Sequence, residues 1–425
     1  MSLTPSGRLL LALASDIVST RGDVRTPRKL NPTTWREWNE AAKRDGFPDI
    51  VALLTKATAK EWAATLNLDD TSTLWLENRL DRASRIAFAL EELESAGIWV
   101  TTIEEPDYPR RYQQILKDDA PLVLYGAGNK ENISRRGIAI VGSRTPDIAA
   151  ESFTVELAQR LARDGLGIVS GGAKGVDRFA ENAALGQGGT VVSILAEGIL
   201  DHILKPDTRR NVIGGQLTIL SEVNPRSRWF ASTAMTRNRL IHALGYYSVV
   251  ISARAGEGGT WAGAIQNLKN QWSPVLVRME DGVPEGNLAL VAQGAVPITR
   301  EAITTEQDFQ KWVRSQPRPA IVRAAAAPTP RPAPEKVAND VAKATLRRGE
   351  GDLFNHVWKK IAEALTHARS EDELAEHLNI SRAQLREWLD RAIEEGRAQR
   401  DSSGEWRVLN FHAPRKDKRL DRFDE

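Results

Sequence analysis

Cysteine is absent from the 425 residues, which excludes disulfide scaffolds, thiolate zinc sites, iron–sulfur clusters and cysteine nucleophiles. Histidine is scarce. His202, His242, His356, His367, His377 and His412 include no pair at metal-ligand spacing, and no HExxH motif occurs. Long hydrophobic runs are missing as well. The apolar stretch from Leu9 to Ala14 falls far short of the roughly 20 residues that cross a bilayer, and the single preceding Arg8 makes a poor signal peptide. No sign of charge dominates: 58 Lys and Arg stand against 56 Asp and Glu, a net +2. That balance excludes a histone-like polycation but permits local basic patches. Together these absences predict a soluble, cytoplasmic chain with no metal, no cofactor and no membrane association.

What is present points to several domains, because 425 residues exceed one ordinary core. Six prolines fall between Pro317 and Pro334, with Ala324 to Ala327 among them. Proline removes backbone donors and fixes φ, so residues 315–349 read as an extended linker, basic by seven Arg or Lys against two acids. Residues 1–105 read as a helical N-terminal domain. There Thr34 stands three residues before Glu37, a capping pattern. Leu80, Ile86, Phe88, Leu90 and Leu93 keep helical spacing up to a C-cap at Gly97. Trp35, Trp38, Trp62, Trp75 and Trp99 are read as core fillers, with base stacking as the alternative.

From Gly137 the texture changes to short apolar runs alternating with helical stretches. Strands are expected at 138–141, 167–170, 190–195, 217–223, 248–253 and 274–278, with helices at 147–164, 176–186, 231–244 and 260–270. Apolar runs each followed by a helix describe a parallel sheet covered on both faces. The fold class is therefore α/β, a Rossmann-like parallel sheet spanning 106–314. After the linker, residues 350–412 read as a winged helix-turn-helix. A capping box joins Ser370 to Glu373, a recognition helix carries Arg382, Arg386, Glu387, Asp390 and Arg391, and a hairpin turns at Ser403-Gly404. Such modules bind either DNA or protein. A charged tail, 413–425, closes the chain.

Chemistry concentrates at three strand ends: Gly142-Ser143-Arg144, Ser170-Gly171-Gly172-Ala173-Lys174-Gly175, and Gly258-Gly259-Thr260. In a parallel sheet these loops emerge together at the carboxyl edge, where ligands of open α/β folds bind. Missing Cβ atoms let backbone N–H groups approach a phosphate, helix starts add positive partial charge, and Arg144 and Lys174 supply full charges. The loops fit neither the Walker A pattern nor the G-x-G-x-x-G fingerprint. A further cluster, Arg237-Asn238-Arg239, sits on the helix leading into the fifth of the expected strands. Asp177 is read as a helix cap or an orienting partner for Lys174. Glu197 and Glu222 end strands and are candidates to enter the cleft, yet no nucleophile pairs with them. The chain is read as non-enzymatic.

Glu105-Pro106-Asp107-Tyr108-Pro109, Ala120-Pro121-Leu122-Val123-Leu124-Tyr125-Gly126, Ile140-Val141-Gly142-Ser143-Arg144, Ser170 to Asp177 and Arg237-Asn238-Arg239-Leu240-Ile241 resemble, in order, the motifs of the DNA-processing protein A (DprA, Smf) family. The match covers about residues 98 to 280. The resemblance implies an extended Rossmann fold, single-stranded DNA as ligand, self-association as a homodimer, and a part in natural transformation through loading of the RecA recombinase. It implies that Arg144 and Lys174 contact the DNA backbone while Gly142, Ser143, Gly171, Gly172 and Gly175 shape the pocket. Asp147 to Glu151, Ala196-Glu197-Gly198 and Gly258 to Ala264 depart from the family pattern and mark a divergent branch. Two other readings compete. One is a nucleotide-binding sensor that relays its state through the winged helix. The other is a nucleotide phosphoribohydrolase of the cytokinin-activating type, whose catalytic Glu position falls on Gly263.

Overall fold

The computed structural model describes residues 3–18 and 30–316. Beyond them it describes Ile361, Leu365, Leu374, Leu385, Leu389, Ala392, 398–400 and 406–408. The chain divides into two compact units, Met1–Val322 and Arg323–Glu425.

The first unit is built on a nine-stranded sheet: β1 Ile98–Thr102, β2 Val123–Ala127, β3 Gly137–Val141, β4 Gly167–Ser170, β5 Val191–Ile194, β6 Leu217–Ser221, β7 Tyr247–Val250, β8 Val275–Arg278 and β9 Val296–Ile298. Their order is β1-β2-β6-β5-β4-β3-β7-β8-β9. All pairings from β6 across to β9 are parallel, whereas β2 runs antiparallel to both β1 and β6. Strands β2 to β8 are buried along their whole length, as their unbroken apolar runs require. The six expected strands are all present. Strands β1, β2 and β9 join them, and β1 falls inside the segment read as helical.

Ahead of the sheet lie helices Pro5–Ala14, Pro32–Arg44, Ile50–Lys56, Ala59–Leu66, Asp70–Leu80 and Ala83–Ser95. Two local expectations are corrected here. The cap of Pro32–Arg44 is Asn31, whose side chain accepts from Thr34 N–H at 2.8 Å, so Thr34 lies inside the helix. Pro32 at the first position favours this earlier start. The run from Leu80 to Leu93 spans a break at Asp81-Arg82, and Phe88 is 69% exposed. Trp35, Trp38 and Trp75 are buried in one cluster with Ile98, Tyr125 and the sheet residues Ile138 and Ile168. Each such indole removes about 200 Å² from water, roughly 5 kcal/mol of transfer free energy before ordering costs. The helices therefore pack onto the sheet through a shared core.

Among the described residues no helix is long and apolar enough to cross a membrane. In the second unit Ile361, Leu385 and Leu389 are helical and buried, and β10 (Ala398–Arg400) pairs antiparallel with β11 (Trp406–Val408). The rest of the expected winged helix lies outside the described residues. So do its capping box, its recognition-helix residues, the linker beyond residue 316 and the tail.

Candidate nucleic-acid interface

Strand β3 has β4 on one side and β7 on the other. The chain leaves β3 towards β4, β5 and β6, then returns to β7 and continues towards β9. This reversal opens a crevice at the carboxyl ends of β3 and β7, the position where open α/β sheets take ligands. A cleft of about 670 Å³ occupies it, lined by Gly142, Ser143 and Arg144 after β3 and by Gly258, Gly259 and Thr260 after β7. Thr260 Oγ1 donates to Gly142 O at 2.9 Å and ties the two loops. Beneath them Arg278, 1% exposed, donates from Nε to Ile251 O at 3.0 Å and lies 3.8 Å from Asp147. Asp147 caps helix Ile148–Arg163 through Ala150 N–H.

The glycine pair after β7 is not a loop but the first turn of helix Gly258–Asn270. No side chain caps that turn, nor the starts of Val176–Gly186 and Ala231–Leu244. An uncapped start leaves N–H donors and the positive end of the helix dipole for an anion. By contrast the helices of residues 32–80 are capped by Asn31, Asp49, Thr58 and Asp69.

The loop after β4 behaves differently from its expected role. Gly172 N–H donates to Glu181 Oε1 at 2.9 Å, and the N–H groups of Ala173 and Gly171 are held by Asp177. These amides are spent within the chain, so they do not cradle a phosphate. The glycines answer to packing instead: a Cβ on Gly171 would stand 1.9 Å from Arg237 Nη1. On Gly175, where φ is +81°, it would stand 2.4 Å from Ser143 O. Ser170 is fully buried and donates to Ile140 O at 2.8 Å. Lys174 projects from this loop, exposed and without an ion pair among the described residues.

Arg237 is 5% exposed and donates to Ile194 O beneath that loop. Burial pulls its guanidinium below the ordinary value, while Asp177 and then Glu181 work the other way. Burial likewise raises the Asp177 carboxyl, and pushes Glu181 up to about 7 despite hydrogen bonds from Ser193 and Gly172. Arg237 thus faces two internal carboxylates. Asn238 lines the cleft and donates to Gly259 O at 3.1 Å. Arg239 does not reach it. Its guanidinium forms a bidentate pair with Glu222, at 2.7 and 2.6 Å, in a separate pocket beside β2 and β6. Glu222 is consequently outside the cleft, and Glu197 is occupied by His202 at 2.6 Å.

The sequence reading missed the cleft's aromatic wall. Trp229 lines it at 45% exposure, with the Arg144 guanidinium 5.4 Å from its ring centroid, and Phe230 beside it is 57% exposed. The signal was available: Arg226, Arg228, Trp229 and Phe230 interleave basic and aromatic residues just before the Arg237 helix. Arg254 adds an exposed cation, whereas Asp147 and Glu257 add negative charge to the rim.

The sequence profile of the family described as DNA recombination-mediator protein A matches residues 99–308. The chain belongs to the DprA/Smf family. It is 32% identical to Protein Smf of Synechocystis over 175 residues, 40% of this chain and 43% of that protein. It is 29% identical to DNA processing protein DprA of Streptococcus pneumoniae over 184 residues, 43% of this chain and 64% of that one. The chain spans about half the length of the curated relatives it matches. The crystal structure of the pneumococcal DprA superposes with a TM-score of 0.51 at 21% identity, covering 70% of this chain and 95% of the other. That likeness shows the shared fold.

Proposed function

We propose that this DprA/Smf member is a non-catalytic single-stranded-DNA-binding protein of cytoplasmic DNA processing and recombination. The strand lies across the carboxyl edge with its phosphates on Arg144, Lys174 and the uncapped start of Gly258–Asn270. Its bases stack on Trp229 and Phe230. The observation that carries this reading is Arg144 poised over the exposed Trp229 ring at the mouth of the switch-point cleft. Guanidinium and stacking platform together are what a sequence-tolerant strand binder needs. Gly142, Ser143, Asn238, Gly259 and Thr260 shape the floor. Arg237, Gly171 and Gly172 support it from inside, and Arg239 belongs to another pocket. Homodimer formation and RecA as a partner extend the proposal on the strength of the family alone.

Charge reversal at Arg144 and Lys174 together tests the site. The double variant should lose oligonucleotide binding and should keep its melting temperature, since Arg144 and Lys174 are both exposed. In the native protein, affinity should fall steeply with salt, at about −0.7 in log–log slope per phosphate neutralised. An unchanged titration with the double variant would reject the site. A nucleotide sensor remains the second reading, because about 670 Å³ is the size of a small-molecule pocket. It predicts that a mononucleotide raises the melting temperature without any strand binding. The hydrolase reading meets a steric obstacle: a Cβ on Gly263 would lie 3.2 Å from His242 Nε2 and 3.4 Å from Asn238.

A further inference from the structure

At the amino edge of the sheet, opposite the cleft, Tyr246 stands immediately before β7 and Arg136 immediately before β3. Tyr246 N–H donates to Gly137 O at 2.9 Å, which fixes the two residues side by side. The Tyr246 ring is 38% exposed. Two guanidiniums converge on it, Arg111 at 4.4 Å and Arg136 at 5.7 Å from the ring centroid. Arg111 comes from helix Arg110–Leu116, and its Nη2 donates to Gly245 O at 2.8 Å.

Four other arginines that are partly or fully buried are ion-paired, whereas Arg237 answers to a backbone carbonyl. Arg79, Arg160, Arg239 and Arg278 each meet a carboxylate, at 3.0, 3.0, 2.6 and 3.2 Å. Arg111 meets none among the described residues, and its Nε is buried without a partner. Burial pulls its guanidinium below the ordinary value, and only Tyr246 opposes this. A desolvated cation without a counter-ion is costly, and an arriving anion relieves the cost. Arg136 beside it is exposed and makes no ion pair among the described residues.

We propose that Arg111, Arg136 and Tyr246 form a second contact surface for single-stranded nucleic acid, separate from the cleft. The surface repeats the cleft's chemistry, a guanidinium over an exposed aromatic ring, which favours a strand offering both phosphate and base over a purely anionic peptide. Strands of four to five residues at about 3.3 Å each put the two edges roughly 13–17 Å apart. A strand must pass around the sheet, a longer path than this, so a long strand leaving the cleft, or a second strand, is the occupant that meets this surface.

The test uses the full chain with Arg136→Glu and Tyr246→Ala combined, leaving Arg111 and its carbonyl contact in place. Binding is titrated against salt with oligonucleotides of about 6 and about 30 nucleotides. The variant is expected to bind the long strand about tenfold more weakly, with a salt slope smaller by about 1, and to bind the short one normally at an unchanged melting temperature. Reversal at Arg144 and Lys174 should abolish short-strand binding. Long-strand binding that survives that reversal, but not the Arg136/Tyr246 change, rejects the cleft and retains this surface. Unchanged long-strand affinity in the Arg136/Tyr246 variant overturns the proposal, as does an equal loss on the short strand. Loss of poly-glutamate binding with strand binding intact would overturn it in favour of an acidic protein partner.

Discussion

Glu181 and His242 are both buried near Arg237, with opposite consequences for stability. Burial pushes Glu181 from 4.5 up to about 7, and pulls His242 from 6.5 down to about 4, with Arg237 adding to the latter. Between those two values the folded Glu181 carboxyl keeps a proton that the unfolded chain releases. Stability from this group therefore falls as pH rises from 4.5 to about 7. The folded imidazole stays neutral where the unfolded one is protonated, so its contribution falls as pH drops from 6.5 to about 4. Each shift amounts to roughly 3 kcal/mol, and the two nearly offset across the shared window. Glu181→Gln should melt higher than the native protein at pH 8 and lose stability more steeply from pH 7 to 5. Parallel melting curves would show that Glu181 does not titrate there. A second change at this scale is Gly171→Ala, whose methyl must displace the Arg237 guanidinium. A loss of about 2–4 kcal/mol is expected by denaturant melt. The positions of Arg144 and Lys174 were readable from the sequence because a basic residue at a strand-end glycine turn has few places to go. The burial of Arg237 was not readable. Within the Arg237-Asn238-Arg239 cluster nothing marks which arginine turns inward until carboxylates distant in sequence are brought beneath the same loop.

The parallel strands and the helices between them announce themselves through continuous apolar runs, and helices 176–186 and 231–244 match their expected bounds. Strands β1 and β2 were hidden for a physical reason. They pair antiparallel with each other, lie ahead of the alternating β–α pattern, and join the sheet only through the pairing of β2 with β6, far along the chain. The Trp229 wall was half legible: its basic and aromatic residues stand out in the sequence, but only tertiary packing carries that loop to Arg144. Two element-level changes separate folding from binding. Asp147→Ala removes the cap of Ile148–Arg163 and should cost about 1 kcal/mol in thermal or denaturant melts. Gly259→Asp has room, as its Cβ would meet Asn238 at no closer than 3.4 Å. It places a carboxylate on an uncapped helix start, which should hold or raise stability by about 0.3–1 kcal/mol. The same carboxylate should repel the strand and weaken binding. A variant that loses both properties would mean that this helix start is structural only.

At the scale of the molecule, the helices of residues 5–95 and the sheet share one apolar cluster, while Arg323–Glu425 forms a unit of its own. A chain ending at Val322 should therefore melt in a single cooperative transition close to that of the intact first unit, and should retain short-oligonucleotide binding. Calorimetry showing an expanded, non-cooperative fragment would count against that independence.

Gly263 sits where two elements of the sheet's carboxyl side are braced against each other. Its neighbour His242 is locked by Ser248 at 2.9 Å and by Asn267 at 3.2 Å, so it has no easy way to make room. An acid at that helix position would crowd His242 by a few tenths of an ångström and press on the Ser248 and Asn267 contacts behind it. Any side chain added there is felt at once in strand β7, through Ser248, and along helix Gly258–Asn270, through Asn267.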